Sequence, residues 1–210
     1  MIRSFKDKRA EAIFRGEFVK SLDGKIQQRA REKLKYLDAA ATLGDLAVPP
    51  GNQLEALKGD RKGQHSIRVN QQWRVCFVWK DGEVTDAEIV DYHCQRHEYS
   101  SMATKKLRPV HPGDILQNDF LEPLGLTAYR LAKQLGVSRP TITQIVARRR
   151  GVTAEMALRL ARYFGTSAQV WQNLQSQYDL EVATTKIGKA VIQKIRPRES
   201  AVSDGRSAAA

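Results

Sequence analysis

Residues 128–151 read AYRLAKQLGVSRPTITQIVARRRG. Leu131, Leu135, Val137, Ile142 and Ile145 fall where two crossed helices need apolar contacts, and Ala132 is small where they approach. Gly136 takes the turn, where a left-handed backbone costs glycine little. Ser138 is placed to cap the second helix, and Pro140 falls in its first turn, where a missing N–H does no harm. The stretch predicts a helix-turn-helix. In that motif the second helix enters the major groove with its N-terminal residues at the base edges. The outward positions are Ser138, Arg139, Thr141, Thr143 and Gln144. Arginine pairs with guanine and glutamine with adenine. Arg148, Arg149 and Arg150 suit phosphates, which add affinity without sequence information.

Around this motif the pattern stays helical from Pro112 to Tyr178. Residues 179–210 form a C-terminal extension ending in RPRESAVSDGRSAAA, a small, polar stretch expected to be disordered. Upstream, residues 94–111 (CQRHEYSSMATKKLRPVH) are polar and aperiodic and read as a linker. Extended chain advances at most ~3.3–3.6 Å per residue, so this segment spans up to ~60 Å and hardly restricts domain placement. Met102 opens MATKKLRPVHPGDIL, which looks like the start of an independent protein.

Residues 1–93 follow another rhythm. Two amphipathic stretches, Phe5–Phe14 and Asp23–Ala41, come first, the second with Ile26, Ala30, Leu34 and Leu37 at helical spacing. Its Lys/Arg face reads as a solvated surface, with a rail for RNA as the alternative. Pro49-Pro50-Gly51 stops the helical pattern. The period then becomes two over Ser66–Val69, Trp73–Trp79 and Val84–Val90, with a polar turn at Asn70–Gln72. Asp81-Gly82 signals a tight hairpin. Helices followed by an antiparallel meander predict an α+β domain. The fold class expected is therefore an α+β domain over 1–93, a linker over 94–111, and an all-α helix-turn-helix domain over 112–178.

The 210 residues carry a formal net charge of +12, which points to a polyanionic partner. The excess is uneven, with +3 over residues 1–98 and +9 over 99–210, so the second part is the stronger candidate for duplex DNA. No apolar run approaches the ~18 residues of a membrane span, and MIRSFKDKRAEAIF lacks the apolar core of a secretory signal. A cytoplasmic protein is expected. Cys76 and Cys94 form neither a CxxC nor a disulfide framework, and His93, Cys94 and His97 are too few for structural zinc. No metal or cofactor is expected.

Metal-free RNA cleavage needs a base for the 2′-OH proton, positive charge for the phosphorane, and an acid for the leaving 5′-oxygen. His93 suits either proton task, and Lys58, Arg68 and Arg74 supply charge. On residue types alone, a histidine ending a strand is more often structural.

Two resemblances sharpen these readings. HPGDIL, LTAYRLAKQLGVSRPTITQI and TAEMALRLARYFGTSAQVWQNLQ resemble the HigA-type antitoxins, a branch of the Cro/C1-like repressors. This resemblance implies a homodimer that binds operator DNA and neutralises a cognate toxin, with Phe164 and Trp171 in the core or dimer interface. MIRSF, LKGDRKGQHSIRVNQQWRVCF and EIVDYH are similar to the HigB-type toxins of the RelE superfamily, which cleave mRNA in the ribosomal A site. It implies that Asp91, Tyr92 and His93 are the catalytic triplet, that Lys58 is needed for activity, and that Arg74 acts on RNA. Some members carry a histidine where this chain has Glu55, which would serve as a base but repel phosphate. His65 is a substitute for that histidine or a structural strand residue. Strict alternation puts Asp91 and His93 on one sheet face and Tyr92 on the other, so joint action requires the strand to twist or end near residue 90.

The sequence thus implies a toxin joined to its antitoxin, with ribosome, mRNA and operator DNA as partners, toxin–antitoxin contact within or between chains, and no membrane. The alternative is a DNA-binding repressor whose toxin-like domain is catalytically inactive.

Overall fold

The computed structural model describes residues 1–92, 106–188 and 194. His93, Cys94 and His97 lie outside the described residues, as does the expected tail over residues 196–210.

Helix α1 (Lys8–Arg15) begins behind Asp7, whose carboxylate accepts the Arg9 N–H at 2.9 Å. Phe5, expected to open this helix, instead bridges to Ala87, as Ile2 does to Val84, so the N-terminus runs parallel to the last strand. Helices α2 (Gly24–Ala39) and α3 (Leu43–Ala47) follow. The sheet comprises β1 (Glu55–Ala56), β2 (Gln64–Arg68), β3 (Trp73–Lys80) and β4 (Glu83–Asp91), antiparallel in sequence order. At the β3–β4 turn both Asp81 (φ 52°) and Gly82 (φ 79°) are left-handed, as a two-residue hairpin requires. A bulge follows, because Cys76 pairs with Glu88 but Val78 with Thr85. Trp73, Val75, Phe77 and Ile89 face the core with Leu34 and Leu37 of α2.

The second module is helical. It runs α4 (Pro112–Ile115), a π-helical turn (Leu116–Leu121), α5 (Ala128–Leu135), α6 (Arg139–Val146), α7 (Ala154–Phe164) and α8 (Ala168–Ile187), past the expected end at Tyr178. Phe120 centres its core, with ring centroids 4.5 Å from Phe164 and 5.3 Å from Trp171. His111 caps α4, its Nδ1 accepting the Gly113 N–H at 2.9 Å while its ring edge meets Tyr178 at 4.7 Å.

The two modules share one apolar core. The segment read as an unrestrictive linker is tied down from Lys106 onward. Leu107 donates to the Gly16 carbonyl, Val110 and His111 are buried, and Arg31 donates to the Leu107 and Arg108 carbonyls. Beyond Lys25, which is exposed, the basic residues of α2 are buried or half-buried and not a solvated face open to RNA. Lys33 and Asp119, both 0% exposed, form an ion pair between the modules. Lys33 also donates to Asn52 Oδ1 at 2.7 Å and to the Gly51 carbonyl at 3.2 Å. Gly51 permits this approach, because a Cβ there would stand 3.1 Å from Asp119 Oδ1. Arg29 bridges Glu32 and Asp119, and Asn118 donates to Glu32 at 2.9 Å. Arg31 pairs with Glu181. Farther along, Asn173 donates to the Ala39 carbonyl at 2.8 Å and Gln177 to Asp38 at 2.8 Å. Asp45 accepts the Ser167 N–H at 2.6 Å and hydroxyl at 2.9 Å. Charged residues survive at zero exposure only when paired and hydrogen-bonded, so α2 is built for this contact.

Burial pulls the Lys33 ammonium down to about 8, opposed chiefly by Asp119. Removing one partner leaves the other buried and unpaired. Asp119→Ala is expected to cost about 3–5 kcal/mol, and Lys33→Met with Asp119→Leu far less than the two singles summed, as read by denaturant unfolding of the whole chain.

Burial also lowers the His111 pKa, against the raising effects of Asp114 and Asp179. The folded state therefore favours neutral imidazole. Its contribution is fully present above the ordinary value near 6.5 and is lost as pH falls below it. Unfolding from about pH 7.5 down to about pH 5 is expected to show a decline that is smaller in His111→Asn, whose side chain caps without titrating there.

Candidate nucleic-acid interfaces

The β2–β3–β4 register decides which side chains meet. Arg68 pairs with Arg74, Ser66 with Cys76, and Glu55 with Ser66, so these residues share the sheet face turned away from the helices. Arg74 is nearly buried and pinned. Its Nε donates to Ser66 Oγ at 2.8 Å and its Nη2 to the Gln53 carbonyl at 2.6 Å, while Glu55 lies 3.3 Å away. Arg68 is held by Gln53 Oε1 at 3.1 Å and the Asn70 carbonyl at 3.1 Å. Tyr92, half exposed, sets its ring 5.7 Å from the Arg74 guanidinium carbon. Two arginines opposite each other on one face repel, which a bound phosphate would relieve.

Not every expected residue joins this group. Asp91 pairs with Trp73 on the core-facing side and accepts from Gln72 Nε2 at 2.8 Å, so β4 keeps alternating through its last residue. His65 is also on that side, stacked 5.9 Å from Phe77. Lys58 is exposed at the start of the 3₁₀ turn Gly59–Arg61, two residues beyond β1. Gln53 and Ser66, which aim Arg74, carried no sequence signal of their own.

The second interface is α6. Gly136, at φ 64°, accepts the chain out of α5 and returns hydrogen bonds to Ala132 and Lys133. Ser138 stands at the cap position but does not cap, because its Oγ pairs with Thr141 Oγ1 at 2.9 Å instead of a backbone N–H. Arg139, Thr143 and Gln144 are exposed in a row beside Pro140, with Thr141 half-buried. Ile142 and Ile145 anchor the other side at 0% exposure. Arg149 and Arg150 are exposed, whereas Arg148 reaches back to Asp114 at 3.6 Å.

Among the described residues no helix is long and apolar enough to cross a membrane, and no group of His, Cys, Asp and Glu could hold a metal ion.

Residues 3–93 match the family model of the RelE-like toxin of type II toxin–antitoxin system HigB, and residues 119–171 match a helix-turn-helix model. Toxin HigB-1 of Vibrio cholerae is 43% identical over 83 residues, covering 39% of this chain and 87% of that protein. Antitoxin HigA-1 of the same organism is 40% identical over 80 residues, 38% of this chain and 74% of that one. A solved Pseudomonas aeruginosa antitoxin HigA with the higBA promoter is 49% identical, covering 43% of this chain and 98% of that chain at a TM-score of 0.42. Both halves of a type II toxin–antitoxin pair are thus present on one polypeptide, and the chain belongs to the HigB toxins through its first module and the HigA antitoxins through its second.

The seating of α6 depends on one close approach. A Cβ on Gly113 would fall 2.0 Å from the Ile145 carbonyl oxygen, so α4 packs on the end of α6 only with glycine there. Gly113→Ala is expected to cost at least about 1–3 kcal/mol and lower the melting temperature. Gly44→Ala, whose nearest contact would be an ordinary 3.4 Å, should be nearly neutral.

Proposed function

We propose that the first module is a metal-free, ribosome-dependent mRNA endonuclease, and that the second module neutralises it and represses its own operon as an operator-bound dimer. The observation carrying this reading is the placement of the intermodule contact. Hydrogen bonds and ion pairs from the second module fall on α2, α3 and the turn after α1, across the sheet from Arg74 and Tyr92. Neutralisation then acts by bulk: the docked second module keeps the toxin from a confined ribosomal site while the RNA-facing side chains stay in place. The operator reading draws on the helix-turn-helix match over residues 119–171, on the antitoxin family of the second module and on the exposed row on α6. Asp91, Tyr92, His93, Lys58 and Arg74 carry the catalytic assignment, with Arg68 as an RNA contact. Cytoplasmic location follows from these partners.

A second reading, a repressor with an inactive toxin module, draws on Glu55, whose carboxylate offsets the charge of Arg74.

Residues 1–93 expressed alone should arrest growth and cut translated mRNA, with the whole chain far less toxic. His93→Ala should lower cleavage by roughly 10²-fold or more. Intact translated mRNA under induction of residues 1–93 would defeat the endonuclease reading.

For the second module, Arg139→Ala and Gln144→Ala should relax sequence preference at particular base pairs, each removing ~1–3 kcal/mol of discrimination where the side chain pairs with a base. Arg149→Ala should weaken binding to all sequences and flatten its salt dependence, because a phosphate contact acts through counterion release. The measurement is binding to operator and scrambled duplexes across a salt series. Unchanged operator preference in the Arg139 and Gln144 variants would mean that α6 is not the reading helix.

A further inference from the structure

We infer that docking of the second module keeps Arg74 engaged with protein groups and away from RNA, acting through Gly51–Gln53 as a strap between the seam and the candidate RNA face. The role of Arg74 on RNA rests on the endonuclease reading above. In the whole chain this side chain is only 10% exposed, too little for a cation that is to grip a phosphate backbone. Its Nε donates to Ser66 Oγ at 2.8 Å and its Nη2 to the Gln53 carbonyl at 2.6 Å. The Nε–Nη2 edge, one of those through which a guanidinium holds phosphate with two parallel bonds, is thus occupied.

What keeps it occupied is the backbone of Gln53. That backbone is left-handed (φ 43°), a conformation in which glutamine, unlike glycine, is strained. Strain of this kind persists only where the surroundings over-determine it. Here Asn52 does so, buried and bonded at every polar group. Its N–H donates to the Pro49 carbonyl at 2.9 Å and its Nδ2 to the Leu46 carbonyl at 2.9 Å. Its Oδ1 accepts from Lys33 at 2.7 Å, and its carbonyl accepts the Arg68 N–H at 2.6 Å. Lys33 also holds the Gly51 carbonyl at 3.2 Å. The second module supplies the other jaw of this clamp. Asp119 fixes Lys33, and a Cβ at Gly51 would meet Asp119 Oδ1 at 3.1 Å and Pro123 Cγ at 3.5 Å, so the strap is pressed between α2 and the second module.

Contacts therefore run without a gap from Asp119 through Lys33, Asn52 and Gln53 to Arg74. With the second module undocked, Lys33 faces water, which competes for its hold on Gly51 and Asn52. The strap then yields to the strain at Gln53, the Gln53 carbonyl leaves Nη2, and the guanidinium turns toward the open sheet face. The two states are the left-handed and the ordinary backbone at Gln53, and docking selects the first. Bulk keeps the toxin module off the ribosome; this contact withholds one of its cations as well.

The test uses the whole chain and reads hydrogen exchange at the Arg74 Nε–H by nitrogen-15 NMR, the signal being assigned by its loss in Arg74→Lys. Gln53→Val disfavours the left-handed backbone and Gln53→Gly tolerates it, while both lose the same side-chain bond to Arg68 and leave the seam alone. Exchange should be roughly tenfold or more faster in Gln53→Val than in Gln53→Gly, the scale of one strained backbone conformation. Lys33→Met with Asp119→Leu, which removes the grip on the strap from a packed seam, should speed exchange as Gln53→Val does. Affinity for an uncleavable 2′-O-methyl RNA, taken as the part lost on Arg74→Ala, should rise in the same variants. Equal exchange in the glycine and valine variants overturns the inference, as does wild-type exchange in the seam variant or an Arg74-dependent affinity that fails to rise. Should the seam variant not fold, the Gln53 pair decides alone. The probe cannot be cut, so these outcomes are separate from the ribosome assay: faster exchange and tighter binding in a protein whose residues 1–93 leave mRNA intact sink the endonuclease reading alone.

Discussion

An ammonium group with no exposed surface is tolerated only where a carboxylate and hydrogen-bond acceptors replace the water it has lost. At Lys33 these are Asp119, Asn52 and the Gly51 carbonyl, and only Asp119 comes from the second module. The rest of the architecture follows from satisfying that contact. Arg29 and Asn118 complete the shell around it, and burial correspondingly raises the Glu32 carboxyl, which Arg29 and Asn118 hold down. The segment from Lys106 to His111 is pulled along the end of α1 and under Arg31. The two modules are therefore not beads on a string. Their apolar cores merge, and each supplies polar groups that the other needs for its own burial to be affordable.

What could be read in the sequence divides along a physical line. Local rules gave the helix-turn-helix and the β3–β4 hairpin, because Gly136 and Asp81-Gly82 carry backbone conformations that few other residues tolerate. The apolar period gave β3 and β4 within a residue at each end. The role of α2 escaped the same reasoning. An Arg/Lys-rich helix face looks alike whether it meets water, RNA or another domain, and only the partner decides. Asp119, buried within a π-helical turn, had no pattern to mark it. For the candidate RNA face, Arg74 and Tyr92 were legible as types, but their meeting depends on register, which also turns Asp91 to the other side.

The helix-turn-helix end of the second module is not isolated from this seam. Arg148 and Arg108 both engage Asp114, and Arg108 also reaches Glu32 of α2 at 3.6 Å. Exposed arginine pairs of this kind are individually weak. Their arrangement nevertheless makes three consecutive arginines unequal: Arg148 belongs partly to the fold, while Arg149 and Arg150 extend from the end of α6 into solvent.

The intermodule pair also sets a clock. Lys33 and Asp119 are 86 residues apart, and the chain is made from its N-terminus. At ~5–20 residues per second, the lysine waits roughly 4–17 s for its counter-ion to be synthesised. During that interval the polar side of α2 has only water for company. In a pair encoded as separate chains, the corresponding delay would depend on concentration and diffusion. Here it depends on elongation alone, and every copy of the first module arrives with its docking partner already on the same strand, in fixed one-to-one supply.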